Sequence, residues 1–194
     1  MPEYRTASAS LADKYQGVTT VKVSIIIECV GIDTDVHLLM QENFKRMIAL
    51  VEEVFDMRND PEQLQVDEKV IEKLQRIHPA TLSEHNIDGP VVWILLIPTT
   101  TEVMNDFVGG KISEQQLFDR TEPGMKFDAI YLCSASVLDE YRQKGLASKM
   151  TIDAINAMRK DHTITALFVW PFTKEGEILA KKIADKLSLP LKIR

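Results

Sequence analysis

The segment 137–149 combines a glycine with three neighbouring cations, between a predicted strand and a predicted helix. A strand that leads through a short loop into a helix leaves unpaired N–H groups at the start of the helix, where the helix dipole also favours an anion. Gly145 lets the backbone approach a bulky phosphate, and Arg142, Lys144 and Lys149 bring positive charge close to it. These residues predict a phosphate or pyrophosphate site, or else a tight turn at Gly145 with solvated cations around it.

The chain lacks the better-known sequence motifs for phosphate binding, hydrolysis and zinc binding. The triplet Gly109-Gly110-Lys111 resembles the end of a Walker loop, but Ile112 stands where Ser or Thr would bind magnesium. No G-x-G-x-x-G follows a predicted strand, and there is no G-x-S-x-G elbow. The four histidines lack the H-E-x-x-H spacing and neither cysteine lies near one in sequence, so we expect no metal site.

Hydrophobic spacing places the segment within an alternation of strands and helices. Residues 91–97 are apolar at every position, which is typical of a central strand covered on both faces and here closed by Pro98. The order of elements predicts a three-layer α/β domain with a mixed sheet. The predicted elements are strands at 18–30, 91–97, 127–137, 163–169 and 191–193, with helices after Thr34 or Asp35, after Asp67, in two pieces within 101–119, at 146–160 and at 175–187.

The two pieces within 101–119 form a helical insert at 99–120. Thr101 is the predicted cap of the first piece, and Gly109-Gly110 breaks the helix. Ser113 and Gln116 predict a capping box at the start of the second piece. The insert also carries an apolar face, which indicates core packing or a subunit contact.

Composition excludes several classes of protein. The chain has 194 residues, 45% of them hydrophobic, and a formal net charge of −6, which disfavours a nucleic-acid partner. Cys29 and Cys133 lie in apolar runs, as reduced and buried thiols of a cytoplasmic protein do. There is no apolar run of about 20 residues for a membrane helix, and the polar arm at 1–17 does not read as a signal peptide. We therefore expect one cytoplasmic domain at 18–194, without a membrane partner.

Residues 127–160 resemble the acyl-CoA-binding core of the GNAT superfamily of N-acetyltransferases. The strand ends at Val137, Tyr141 precedes Arg142, and Arg142-x-x-Gly145-x-Ala147 matches the family pattern Q/R-x-x-G-x-G/A. The succession of predicted elements agrees with that of the family. The resemblance implies a GNAT-like three-layer α/β/α domain with a mixed, mostly antiparallel central sheet.

The resemblance also implies acetyl-CoA, or another acyl-CoA, as cosubstrate. Main-chain groups around Ala135 and Val137 would pair with the pantetheine arm in a gap between the strands at 127–137 and 163–169. Thr173 replaces an asparagine that often begins the last helix, and it would bond the same arm. The pyrophosphate would lie against a run that consists of Arg142, Gln143, Lys144, Gly145, Leu146, Ala147 and Ser148.

The implied reaction is direct attack of an amine on the thioester, without a covalent intermediate. Tyr131 stands where some members carry a glutamate base, so it is the candidate catalytic residue. Ala184 replaces a tyrosine that protonates the departing thiolate in many members, which leaves open a CoA-binding or structural module without catalysis. An unrelated phosphate-binding protein is a third reading. The acceptor would be a small-molecule or protein amine, and a homodimer is compatible with the insert and the strand at 191–193.

Four further side chains have alternative readings. Glu102, Asp106 and Asp128 either face an acceptor amine or lie as solvated carboxylates. Cys133 is interpreted as a structural thiol and not a nucleophile, because no histidine lies near it in sequence.

Overall fold

The computed structural model describes residues 42–51, 53 and 62–194. The arm at 1–17, the strand predicted at 18–30 and Cys29 lie outside these residues. In chain order the elements are helix α1 (residues 42–51 and 53), α2 (Glu68–Ile77), β1 (Leu82–Asn86), β2 (Pro90–Thr99), α3 (Thr101–Val108), α4 (Glu114–Asp119), β3 (Ala129–Val137), α5 (Leu146–Asp161), β4 (Ala166–Val169), α6 (Lys174–Leu187) and β5 (Leu191–Ile193).

The strands of the described residues form one five-stranded sheet in the order β1-β2-β3-β4-β5. The pairings of β1 with β2 and of β2 with β3 are antiparallel, and those of β3 with β4 and of β4 with β5 are parallel. Parallel neighbours need a crossover, which α5 and α6 supply. The chain is therefore an α/β protein with a mixed sheet, compatible with three layers. Among the described strands two pairings are antiparallel and two are parallel, and the antiparallel pairings are the longer ones, with 5 and 8 paired residues against 3 and 3.

Strand β2 runs through the centre of the core, as its continuous apolar sequence predicts. Every residue from Val91 to Ile97 except Trp93 is buried. The predicted end at Pro98 is wrong, because β2 continues to Thr99 and Pro98 pairs with Ile130. Strand β1 pairs only as far as Leu95 of β2, so the missing N–H of Pro98 costs no bond to that neighbour.

Strand β1 was not predicted from the sequence. Its residues, LSEHN, are mostly polar, as suits an edge strand with little burial. The turn into β2 holds Asp88 at φ 48° and Gly89 at φ 105°, and Asp-Gly is a strong hairpin signal that marks this connection. The strand was therefore detectable from its turn, although not from hydrophobic periodicity.

The insert folds as two short helices against the sheet. Thr100, and not the predicted Thr101, caps α3 by accepting a hydrogen bond from the N–H of Val103. The capping box of Ser113 and Gln116 at the start of α4 is confirmed. The apolar face of the insert packs into the chain's own core. Its buried residues are Val103, Met104, Phe107, Leu117 and Phe118.

Candidate functional site

Strands β3 and β4 pair over a short distance and then part. Their register joins Ala129 to Ala166, Ile130 to Leu167 and Tyr131 to Phe168. Beyond Tyr131, β3 continues to Val137 with β2 as its only neighbour among the described strands. Residues 134 and 135 are exposed on this stretch. The result is an open strand edge, to which an extended ligand could add as a further strand. We call this stretch, residues 132–137, the open edge.

A β-bulge lies at the beginning of the open edge. Leu95 of β2 pairs with Ser134 and Leu96 pairs with Leu132, so Cys133 is an extra residue in β3. A bulge bends its strand and increases the local twist. The bulge therefore gives a local reason for β3 to diverge from β4 just after Tyr131.

The loop that leads into α5 has the backbone that an anion site requires. Gln143 and Gly145 have positive φ angles of 59° and 77°, and Gly145 is the N-cap of α5 without a side-chain capping bond. No heavy atom lies within 4 Å of the place where a Cβ on Gly145 would stand. The N–H groups of the first helical turn thus begin next to open space.

The three cations of this region lie at the surface, but each already has a contact. Arg142 donates from Nε to the carbonyl of Val137 at 3.2 Å and pairs with Asp139 at 3.1 Å. Lys144 lies over the ring of Tyr141, with Nζ 5.0 Å from the centroid. Lys149 pairs with Asp153 on the next turn. Arg142 therefore shapes the loop, and exposed pairs of this kind exchange readily with an incoming anion.

Ser148 occupies the third position of α5 and is 4% exposed. Its Oγ is the one buried side-chain oxygen or nitrogen atom without a hydrogen-bond partner in the described part of the chain. A buried polar group left without a partner costs about 1–3 kcal/mol. This hydroxyl therefore has a vacant hydrogen bond in the first turn of α5.

An ion pair anchors the turn that precedes this loop. Arg46 of α1 donates to both carboxylate oxygens of Glu140, each at 2.7 Å. The hydrogen bonds from Arg46 hold the pKa of Glu140 at about 2, below its ordinary value of 4.5. The pair ties α1 to the single-turn helix Asp139–Tyr141.

Tyr131 lies at the last paired position of β3 and is fully buried. Its hydroxyl donates a hydrogen bond of 2.6 Å to Oε1 of Glu114, on the insert helix α4. Its ring also contacts Phe107 of α3, with centroids 5.1 Å apart. The structure thus places the candidate catalytic residue in the core, at the last paired position before β3 and β4 diverge.

Glu114 is the residue that sequence reasoning missed. It is 2% exposed, and its Oε2 accepts a hydrogen bond of 2.6 Å from the N–H of Leu64. The Sγ of Cys133 lies 3.7 Å from Oε1. The described residues supply no cation for an ion pair with this carboxylate. The sequence signal was ambiguous, because an acidic residue after a serine N-cap is typical of a helix start.

The three carboxylates considered from the sequence all bond residues of the insert. Arg120 bonds Glu102 at 3.1 Å and Asp106 at 2.9 Å. Hydrogen bonds from Arg120, and then from Lys111, lower the pKa of Asp106. Asp128 accepts a hydrogen bond of 2.5 Å from the N–H of Thr101. The contacts of Arg120 hold the insert together, and the bond of Asp128 ties the insert to the residue that precedes β3.

The remaining predicted residues divide between the open edge and the two helix starts. Ala135 is exposed and Val137 half-buried on the open edge, while Leu146 and Ala147 form the first turn of α5. Thr173 caps α6 by accepting a hydrogen bond of 3.0 Å from the N–H of Gly176.

Comparison with known proteins does not assign the chain to a family. No protein-family model matches the chain, and no curated protein matches it.

Within residues 42–51, 53 and 62–194, no three His, Cys, Asp or Glu side chains are grouped so that they could hold a metal ion. None of the helices in the same ranges has the length and apolar character needed to cross a membrane.

Proposed function

We propose that the protein is an acyl-CoA-dependent N-acyltransferase of the GNAT type, which transfers an acetyl group from acetyl-CoA to an amine in the cytoplasm. The observation that carries the proposal is the parting of β3 from β4 after Tyr131 and Phe168, followed along the chain by the anion-type loop at 142–148. The two features lie at opposite ends of the open edge. The edge spans about 20 Å at the usual rise per strand residue, which is the scale of an extended pantetheine arm.

The backbone supplies most of the binding groups in this proposal. The pantetheine amides pair with main-chain groups near Ala135 and Val137, as an added strand would. The pyrophosphate accepts hydrogen bonds from the first-turn N–H groups of α5 and from Ser148, with Arg142 and Lys144 close by. This arrangement directs the thioester toward the bulge at Cys133.

The reaction needs an amine held against the thioester carbonyl. A main-chain N–H of the open edge polarises the carbonyl, and the amine forms the C–N bond as the C–S bond breaks. The acceptor is a small-molecule or protein amine. No covalent enzyme intermediate is required, so Cys133 remains a structural thiol.

A CoA-binding module without catalysis is the second candidate. Ala184 is 4% exposed on α6 and offers no hydroxyl to protonate a thiolate, which favours this reading. The two candidates share the binding site and differ only in acceptor-dependent release of CoA thiol.

Binding is tested by titration calorimetry with acetyl-CoA, using ATP as the comparison nucleotide. We expect saturable binding of acetyl-CoA at micromolar to millimolar concentration, and its loss in Gly145→Glu, which puts a negative side chain at the loop. Glu175→Gln, at the exposed first turn of α6, is the control and should bind as the wild type does. Equal binding of acetyl-CoA by Gly145→Glu would argue against the site.

Catalysis is tested by release of CoA thiol from acetyl-CoA in the presence of primary alkylamines, polyamines and a lysine-containing peptide. Acceptor-dependent release supports the transferase. Binding of acetyl-CoA with no release above the rate without amine favours the binding module. The predicted homodimer remains a separate prediction for sedimentation analysis.

A further inference from the structure

The carboxylate of Glu114 is buried beside the open edge without a cationic partner among the described residues. Burying a carboxylate is unfavourable unless donors or a counter-charge compensate for lost water. Three neutral donors contact it: the N–H of Leu64 and the hydroxyl of Tyr131, each at 2.6 Å, and the thiol of Cys133 at 3.7 Å. The chain thus holds an acidic group inside its core at a place where packing alone would favour an apolar side chain.

The position of Glu114 relates it to the proposed acyl-CoA site. Tyr131, which bonds its Oε1, is the last residue of β3 that pairs with β4. Cys133, whose Sγ lies 3.7 Å from the same oxygen, is the bulged residue that begins the open edge. Cys133 is only partly buried, and Ser134 next to it is exposed. Cys133 therefore contacts the carboxylate of Glu114 and is the chain neighbour of the exposed part of the open edge.

We propose that Glu114 is the proton acceptor for the acceptor amine, an inference that rests on the proposed acyltransferase function. The substrate ammonium, lodged beside Cys133, gives one proton to the carboxylate of Glu114, directly or across one water molecule. The neutral amine then forms the C–N bond while the C–S bond breaks. The second proton on nitrogen passes to the departing sulfur, which leaves an amide and the CoA thiol, and Glu114 returns its proton to solvent.

Tyr131 acts as a positioning residue in this scheme. Its ring is held by Phe168 and Phe107, and its hydroxyl orients the carboxylate. Among the described residues, the titratable group in contact with the Glu114 carboxylate besides Tyr131 is the thiol of Cys133 on β3. The backbone N–H of Glu114 also bonds the carbonyl of Glu62, whose side chain pairs with Arg194. A buried carboxylate without a paired cation also attracts an ammonium group, so the same oxygen both draws and deprotonates the acceptor.

Glu114→Gln is the decisive variant, because the amide keeps the shape of the side chain. Its oxygen can still accept from Leu64, and its nitrogen can donate to Tyr131 if that hydroxyl rotates. We expect unchanged affinity for acetyl-CoA and a kcat lowered about 100-fold or more, in the range of general acid–base catalysis. Glu102→Gln is the matched control on the same insert, since its carboxylate is 81% exposed, and it should retain the wild-type kcat.

Tyr131→Phe provides a second measurement that does not depend on the folding of the first variant. It removes one donor from the carboxylate and leaves the carboxylate in place, so the acid limb of the pH–rate profile should move to higher pH. A merely structural role for Glu114 would leave that limb unmoved. The inference would be overturned by a wild-type kcat in Glu114→Gln, or by an unchanged acid limb of the pH–rate profile in Tyr131→Phe. It would also be overturned if the wild type bound acetyl-CoA but transferred no acetyl group. Failure of the wild type to bind acetyl-CoA would instead overturn the proposed function.

Discussion

Tyr131 and Phe168 are the last residues that pair β3 with β4, and their rings stack with centroids 5.0 Å apart and planes at 22°. Phe107 from the insert contacts both rings. The stack therefore joins both strands and the insert at the point where the open edge begins.

Removal of the Phe168 ring should be costly for stability. Phe168 is fully buried, so Phe168→Ala leaves a cavity against Tyr131 and Phe107 and should lower the free energy of unfolding by about 3–5 kcal/mol. Urea denaturation measures the change. The control is Phe172→Ala, at a ring that is 44% exposed, which should cost no more than about 0.5 kcal/mol. Equal effects of the two variants would contradict the packing described for the stack.

Ser148→Ala should separate folding from ligand binding. The variant removes a buried hydroxyl without a partner, so the unliganded protein should be as stable as the wild type or more stable by about 1 kcal/mol. Affinity for acetyl-CoA should fall about tenfold, because the hydroxyl loses its proposed bond to the pyrophosphate. Thermal unfolding and calorimetry measure the two effects. Ser83→Ala on β1 is the control, and an unchanged affinity in Ser148→Ala would count against the role of this hydroxyl.

The Arg46–Glu140 pair should make a small contribution that disappears in acid. The pKa of Glu140 is about 2 in the folded protein, against an ordinary 4.5, so the stabilisation is present above pH 4.5 and is lost as pH falls toward 2. Thermal unfolding of Glu140→Gln should therefore approach that of the wild type in this interval. Both side chains are 46% exposed, so added salt should also reduce the difference. Glu42→Gln, on α1 like Arg46, is the control. An increase in acid of the difference in stability between Glu140→Gln and the wild type would contradict the prediction.

His162 should make the protein less stable below neutral pH. Burial lowers the pKa of His162 from 6.5, and His78 and Lys126 lower it further. The unfolded chain then binds a proton more readily than the folded one, so stability is full above pH 6.5 and falls as pH drops below it. His162→Asn keeps an acceptor for the N–H of Phe127, so it should lose less stability than the wild type between about pH 7 and pH 5. His85→Gln, on β1, should keep the wild-type slope. A parallel decline in wild type and His162→Asn would exclude His162 as the cause.

Local patterns were sufficient for most of the elements. The apolar run of β2, the cap at Asp67 and the capping box of Ser113 all act within one turn or one strand, so their signals survive in the sequence alone. Gly145 was likewise predicted at the start of α5, where its φ of 77° requires glycine or a strained residue. Strand β1 escaped detection because an edge strand with a polar sequence has weak periodicity.

The candidate site depends on contacts between residues that are far apart in the chain. Periodicity indicates that 129–137 and 166–169 are strands, but it does not tell where their pairing stops. Glu114 and Tyr131 are joined across a separation of 17 residues, and Leu64 and Glu114 across 50. The sequence by itself thus determined the α/β class and the loop of Gly145, since these follow from neighbours. Only the tertiary structure decided the open edge and the buried carboxylate beside it, because strand register and burial arise from packing between distant segments.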